Sequence, residues 1–245
     1  LVAKLDEILQ PDRFKDYCPN GLQVEGRSQV GKIVSGVTAS RALLDAAVAE
    51  LADAVLVHHG YFWRGENPCL VGIKRHRVAL LMQHDISLLA YHLPLDEHPL
   101  LGNNAQLARR LAIPIVGEPG RGDGSCPVME GALDAPVSGD EFSARIARAL
   151  GRKPLHIAAE RSISRLAWCT GGGQGFIEQA IELGVDAYIS GEVSEQTVHV
   201  ARENGVHFFA AGHHATERYG VQALGEYLAR ELPIEHRFLD IDNPA

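Results

Sequence analysis

Two apolar periods alternate along the chain. Runs of three to six mostly apolar residues recur: Lys32–Val37, Ala54–Val57, Ile86–Tyr91, Leu166–Cys169, Ala187–Ile189 and Val206–Ala210. Such uninterrupted runs suit strands buried on both faces of a parallel sheet. Between them lie segments of helical period: Val2–Leu9, a helix capped by Ser40 and running to about Ala52, Lys74–Gln83, Asn103 to about Leu111, Gly175–Leu183, Ser194–Glu203 and Thr216–Glu231. Ser138 and Glu141 form a capping box for a helix to Leu150. Leu155–Ala158 reads as a strand, and Ile234–Ile241 alternates like an edge strand. Pro19-Asn20-Gly21 reads as a turn, and Pro94–Gly102 as irregular. The fold class expected is α/β, with mixed sheets flanked by helices.

The pattern repeats. Val34-Ser-Gly-Val-Thr38, a helix and Ala52-Asp-Ala-Val-Leu56 match Leu166-Ala-Trp-Cys-Thr170, a helix and Val185-Asp-Ala-Tyr-Ile189. The offset is 132 at the threonines and 133 at Asp53 and Asp186. Ile86–Ala90 corresponds to Val206–Ala210. One βαβαβ unit is used twice, which predicts two repeat-related, interlinked lobes, residues 1–118 and 119–245. Glu118–Pro127, rich in Gly, Pro and charge, is the expected boundary or mobile loop.

Charged and metal-binding side chains gather where apolar runs stop. Ala54–Val57 ends in His58-His59-Gly60. Ligands in open α/β sheets bind past the carboxyl ends of strands. Neighbours on a strand point to opposite faces. Both imidazoles therefore serve one site only if the strand breaks at Gly60 or if two metal ions sit side by side. After the third strand of each repeat come His92-x-x-x-Asp96 and His213-x-x-x-Glu217. His58, His59, Asp96, His213 and Glu217 mix imidazole with carboxylate, which suits zinc, manganese, iron, cobalt or nickel. Three histidines and two carboxylates leave open positions on two divalent ions, as catalytic sites do. His92 and His214 are weaker candidates, as partners that orient a ligand. Glu192 is a candidate general base, or a helix-start acid. Gly171-Gly172-Gly173 is either a phosphate cradle or a tight strand-to-helix turn. Tyr61-Phe62-Trp63 reads as core or subunit interface.

Composition narrows the classes. The 245 residues carry 23 Lys+Arg against 31 Asp+Glu, a net charge of −8. No basic stripe is there to neutralise phosphates, so general nucleic-acid binding is not expected. Cys18, Cys69, Cys126 and Cys169 are scattered and read as free thiols of a reducing cytoplasm. No membrane span or signal peptide is read, and the numbering opens at Leu1 without an initiator residue.

Pro19–Gly26, Gly36–Ser40, Val57-His-His-Gly-Tyr-Phe62, His92-Leu-Pro-Leu-Asp96, Gly102-Asn-Asn104, Gly191–Thr197 and Gly212-His-His-Ala-Thr-Glu-Arg218 together resemble the Nif-three-like family, the GTP cyclohydrolase 1 type 2 homologues. The resemblance spans nearly the whole chain. It is nearest to short bacterial members typified by the Escherichia coli protein. It implies a dinuclear metal site on His58, His59, Asp96, His213 and Glu217, and a hexameric ring of identical chains with the metals facing inward. It also implies a hydrolase acting on a small polar or nucleotide-like substrate. A non-catalytic metal-binding ring scaffold and a regulatory interaction protein are the alternatives. Longer members carry an inserted domain between the halves; the 118–160 stretch is too short to hold it.

Overall fold

The computed structural model describes residues 1–117 and 128–245. Glu118–Pro127, where the boundary or mobile loop was expected, and Cys126 lie outside the described residues.

The chain divides into two units. The first holds Leu1–Leu95 and Gly220–Asp242, the second Asp96–Tyr219 and Asn243–Ala245. In the first unit, α1 (Val2–Leu9) precedes β1 (Gly21–Val24), β2 (Lys32–Thr38), α2 (Arg41–Ala49), β3 (Ala54–His59), α3 (Gly72–Gln83) and β4 (Ser87–Ala90). In the second lie α5 (Asn103–Arg110), β5 (Ile115–Val116), β6 (Met129–Val137), α6 (Gly139–Leu150), β7 (Leu155–Ile157), β8 (Ile163–Cys169), α7 (Ile177–Glu182), β9 (Ala187–Ser190), α8 (Glu195–Glu203) and β10 (His207–Ala210). Two helices carry the chain from one unit's residues to the other's: α4 (Leu93–Glu97) and α9 (His213–Glu231), which leads to β11 (Glu235–Phe238).

Each unit has one mixed sheet. The first is ordered β1-β4-β3-β2-β11, with β4, β3, β2 and β11 parallel and β1 antiparallel. The second is ordered β5-β6-β8-β9-β10-β7, with β8, β9 and β10 parallel and the outer strands antiparallel. The parallel triplets β2-β3-β4 and β8-β9-β10 are the repeat read in the sequence. Consecutive residues within them are buried, so both faces of these strands are covered. Val34, Val55, Val57, Leu43, Leu81 and Leu88 form the first core. Phe142, Ile146, Trp168, Ile189 and Phe209 are in the second.

The caps follow local chemistry. Ser40 Oγ accepts from Leu43 N–H at 3.3 Å. Ser138 and Glu141 form the expected reciprocal box at the start of α6. Gly205, at φ +60°, follows the end of α8.

Several local expectations are corrected. Pro19-Asn20-Gly21 leads straight into β1. Strand β3 does not stop at Val57 but runs through both histidines to His59. It ends there, before Gly60, where a Cβ would stand 2.2 Å from Gln23 Oε1. The stretch 94–102 contains α4, which carries Asp96. Gly102, not Asn103, is the N-cap of α5. Helix α9 starts at His213 rather than Thr216, so His213 and Glu217 share one helix, a turn apart. Gly173–Phe176 is a 3-10 turn before α7. Strand β6, nine residues long, was not foreseen. Cys18, Cys69 and Cys169 are free thiols. Among the described residues no helix is long and apolar enough to cross a membrane.

Candidate metal-binding residues

In the first unit three imidazoles converge. His58 is fully buried at the end of β3. Its Nδ1 lies 3.0 Å from the Tyr91 carbonyl oxygen, which only accepts, so Nδ1 carries the proton and Nε2 the lone pair. His59 Nδ1 stands 3.2 Å from Thr38 Oγ1, on the neighbouring strand. The His58 and His59 ring centroids are 4.4 Å apart, although neighbours on a strand point apart. His92 follows β4. Its ring lies 5.0 Å from that of His58 and 5.8 Å from that of His59. Trp63 stands edge-on to His92, 5.0 Å away at 84°. Of the aromatic triplet, only Tyr61 is a core residue, its hydroxyl donating to Ala39 O at 2.8 Å.

A residue that sequence reasoning missed holds His92. Asp16 Oδ1 accepts from His92 Nδ1 at 2.7 Å. The same carboxylate takes N–H bonds from Tyr17, at 2.6 Å, and Leu93, at 2.9 Å, and a 2.9 Å bond from Asn20 Nδ2. Asn20 Oδ1 in turn accepts the His92 backbone N–H at 2.7 Å. Burial alone would push the Asp16 carboxyl up. The bonds and charge of His92, then Asn20 and the Tyr17 amide, outweigh it and hold the group at about 2. Burial and the Asp16 charge push the nearby Cys18 thiol up to about 12, so it stays protonated.

In the second unit the ends of β8 and β9 meet the start of α9 backbone to backbone. Gly191 N–H donates to Gly171 O at 2.9 Å, and Gly171 N–H donates to Thr216 Oγ1 at 3.0 Å. A Cβ on Gly191 would stand 2.7 Å from His213 Cα. A Cβ on Gly171, at φ +63°, would fall 1.9 Å from Glu217 Oε1 and 3.1 Å from His213 Nε2. Gly171-Gly172-Gly173 is thus a strand-to-helix turn whose first glycine makes room for two candidate ligands; its first N–H is already engaged.

His213 Nε2 lies 3.1 Å from Glu217 Oε2, and its Nδ1 lies 2.7 Å from Glu192 Oε1. Burial pushes the imidazolium down, but Glu217 and then Glu192 prevail and raise it to about 9. Glu192 lies before α8, whose N-cap is Ser194 and whose first-turn acid is Glu195. Its partners are the His213 ring on Oε1 and Gln174 Nε2, which donates to Oε2 at 3.3 Å, rather than a helix terminus. Asp96, buried, receives Asn103 Nδ2 at 2.8 Å and Thr170 Oγ1 at 3.5 Å on Oδ1. Asn104 adds a bond to the Asp96 carbonyl at 3.2 Å and accepts Thr170 N–H at 3.0 Å. His214 is buried one step round α9 from His213. Beside Glu192 opens a cavity of about 550 Å³, lined also by Arg152, Lys153, Leu155 and Ala210.

These residues fit a divalent metal. The donors are imidazoles and carboxylates, the mix that borderline divalent ions take. His58, His213 and Asp96 each have a second polar group that fixes the ring or carboxylate, as metal ligands usually do. The Gly171 cradle leaves space at Glu217 that any side chain would fill.

Residues 1–244 match the family model described as Duf34/NIF3 (NGG1p interacting factor 3). It is 62% identical over 245 residues to the Pseudomonas aeruginosa "GTP cyclohydrolase 1 type 2 homolog", covering 100% of this chain and 97% of that one. It is 54% identical over 244 residues to the Escherichia coli (strain K12) protein of the same name, covering 98% and 96%. A solved structure described as "protein ybgI, unknown function" superposes with a TM-score of 0.94 at 54% identity, covering 100% and 98%.

Proposed function

The chain belongs to the Duf34/NIF3 (NGG1p interacting factor 3) family, and from that premise we propose that it is a metal-dependent hydrolase. In this reading His58, His59, Asp96, His213 and Glu217 hold two divalent ions, drawn from zinc, manganese, iron, cobalt and nickel. The observation that carries the reading is the anchoring of the donors: buried His58 by the Tyr91 carbonyl, partly buried His213 by Glu192, and buried Asp96 by Asn103. Protein stability alone does not ask for an anchored imidazole at a strand end; ligand geometry does.

When bound, the ions supply Lewis acidity. The chain's own groups do the rest. Glu192 keeps the His213 ring turned so that Nε2 and Glu217 share one side, and it is the carboxylate placed to take a proton. The cavity beside Glu192 has a volume within the range of small-molecule sites. Arg152 and Lys153 on its wall suit an anionic, nucleotide-like substrate. The relatives' name makes GTP the first nucleotide to try.

Self-assembly belongs to the same proposal. Val71, Ile73 and Met82, on and before α3, are apolar yet largely exposed, which supports contact with a second copy. Sedimentation of the purified chain tests it; a monomer at micromolar concentration refutes it.

The decisive experiment measures metal content and nucleotide turnover in the wild type, His58→Ala and Glu217→Ala. Two metals per chain, lost together with turnover in both variants, is the expected result. Metal retained by both variants overturns the ligand set. Metal bound with no turnover on any nucleotide favours a metal-holding scaffold instead.

A further inference from the structure

We infer that His92 is a third imidazole ligand in the first unit, and that Asp16 is the residue that orients it. The inference rests on the metal-binding reading above and adds to its ligand set.

The three rings of His58, His59 and His92 are built alike. Each has its Nδ1 against an acceptor-capable oxygen: the Tyr91 carbonyl, the Thr38 hydroxyl and the Asp16 carboxylate. The carbonyl and the ionised carboxylate only accept, so in His58 and His92 Nδ1 carries a proton and Nε2 is the nitrogen left for a metal. One ring nitrogen from each of the three lies within 4.8 Å of the others. A common ion needs each nitrogen at about 2.0–2.1 Å, a closure of the kind side-chain torsions supply.

The surroundings of His92 exceed what a packed histidine requires. Asp16 and Asn20 fix both its ring and its backbone N–H, across more than seventy residues of sequence. A carboxylate, an imidazole and a metal in line is a common way to set a ligand's tautomer and raise its basicity.

The test uses the full chain loaded with Co²⁺ alone. Exchangeable ring N–H protons of coordinated histidines give strongly shifted proton resonances. With His58, His59, His92 and His213 bound, four such signals are expected. His92→Ala removes one, and Asp16→Asn moves that same signal and weakens Co²⁺ binding about tenfold or more. Three signals in the wild type, with Co²⁺ tightly bound, overturn the assignment of His92 and leave the other ligands standing. The wild-type count decides even if a variant fails to fold. No uptake of Co²⁺ by the wild type is a different failure, and it removes the metal-binding reading itself.

Discussion

Asp53 and Asp186 hold the same post in the two halves of the chain. Asp53 Oδ2 accepts the backbone N–H groups of Gly31 and Lys32 at 2.8 and 2.9 Å, where β2 begins. Asp186 Oδ2 accepts those of Ser164 and Arg165, both at 2.9 Å, at the start of β8. Each carboxylate also pairs with an arginine, Arg27 and Arg161 respectively. One aspartate ahead of the second strand of each repeat thus ties down the first. Removing either carboxylate takes the acceptor away from two backbone N–H groups. Asp53→Ala and Asp186→Ala should each destabilise the protein by about 1–3 kcal/mol. Urea unfolding checks this. A change within error in both variants would show that the shared post is not energetic.

Gly171 and Gly172 are neighbours with opposite tolerances. At Gly171 both the positive φ and the 1.9 Å approach to Glu217 Oε1 forbid a side chain. At Gly172 a Cβ meets nothing nearer than 3.9 Å. Gly171→Ala should displace Glu217 and lower metal content, at a backbone cost of about 1–2 kcal/mol. Gly172→Ala should leave metal content unchanged. Equal metal in both variants would separate the cradle from metal binding.

How much of this was legible in the chain differs by element. Strands buried on both faces announced themselves as apolar runs, and the repeat showed which of them correspond in the two halves. Strand β6 hid because Glu130, Gly131, Asp134 and Pro136 interrupt any apolar pattern; its place comes from antiparallel pairing with β8. Helix α4 hid because it has five residues and includes Pro94. The start of α9 hid because Gly212 and two histidines are weak helix signals, and tertiary packing against Gly171 and Gly191 sets it. The histidines and acids at strand ends were visible by residue type. Asp16, Asn20, Asn103 and Thr170 were not, because their partners are set by the fold and not by spacing. Asn103 illustrates the limit: it reads as a helix cap, yet its side chain serves Asp96.

That bond yields a prediction of its own. Asn103 is fully buried, and its Nδ2 fixes the Asp96 carboxylate at 2.8 Å. Asn103→Ala removes this bond, which is shorter than the 3.5 Å Thr170 contact on the same oxygen. Metal affinity should fall about tenfold or more, as read by competition with a chromophoric chelator. Unchanged affinity would place Asp96 outside the metal's ligands.

His236 and Ser35 join β11 to β2 through a bond of 2.7 Å between Nε2 and Oγ. Burial pushes the His236 imidazolium below its ordinary value, against a weaker opposing pull from Glu226. The unfolded chain therefore takes up this proton at a higher pH than the folded chain does. Stability from the neutral ring is fully present above the ordinary histidine range, about pH 6.5. It is lost progressively as pH falls towards the depressed folded value, and the loss levels off below it. His98 and His156, also lowered chiefly by burial, act in the same direction. His213, raised to about 9, acts the other way above about pH 6.5 and adds no slope below it, so urea midpoints should fall with acid between pH 6.5 and pH 5. His236→Asn, which keeps a polar partner for Ser35 but cannot titrate, should make that fall shallower without abolishing it. An identical slope in the variant would show that this ring does not contribute to the acid sensitivity.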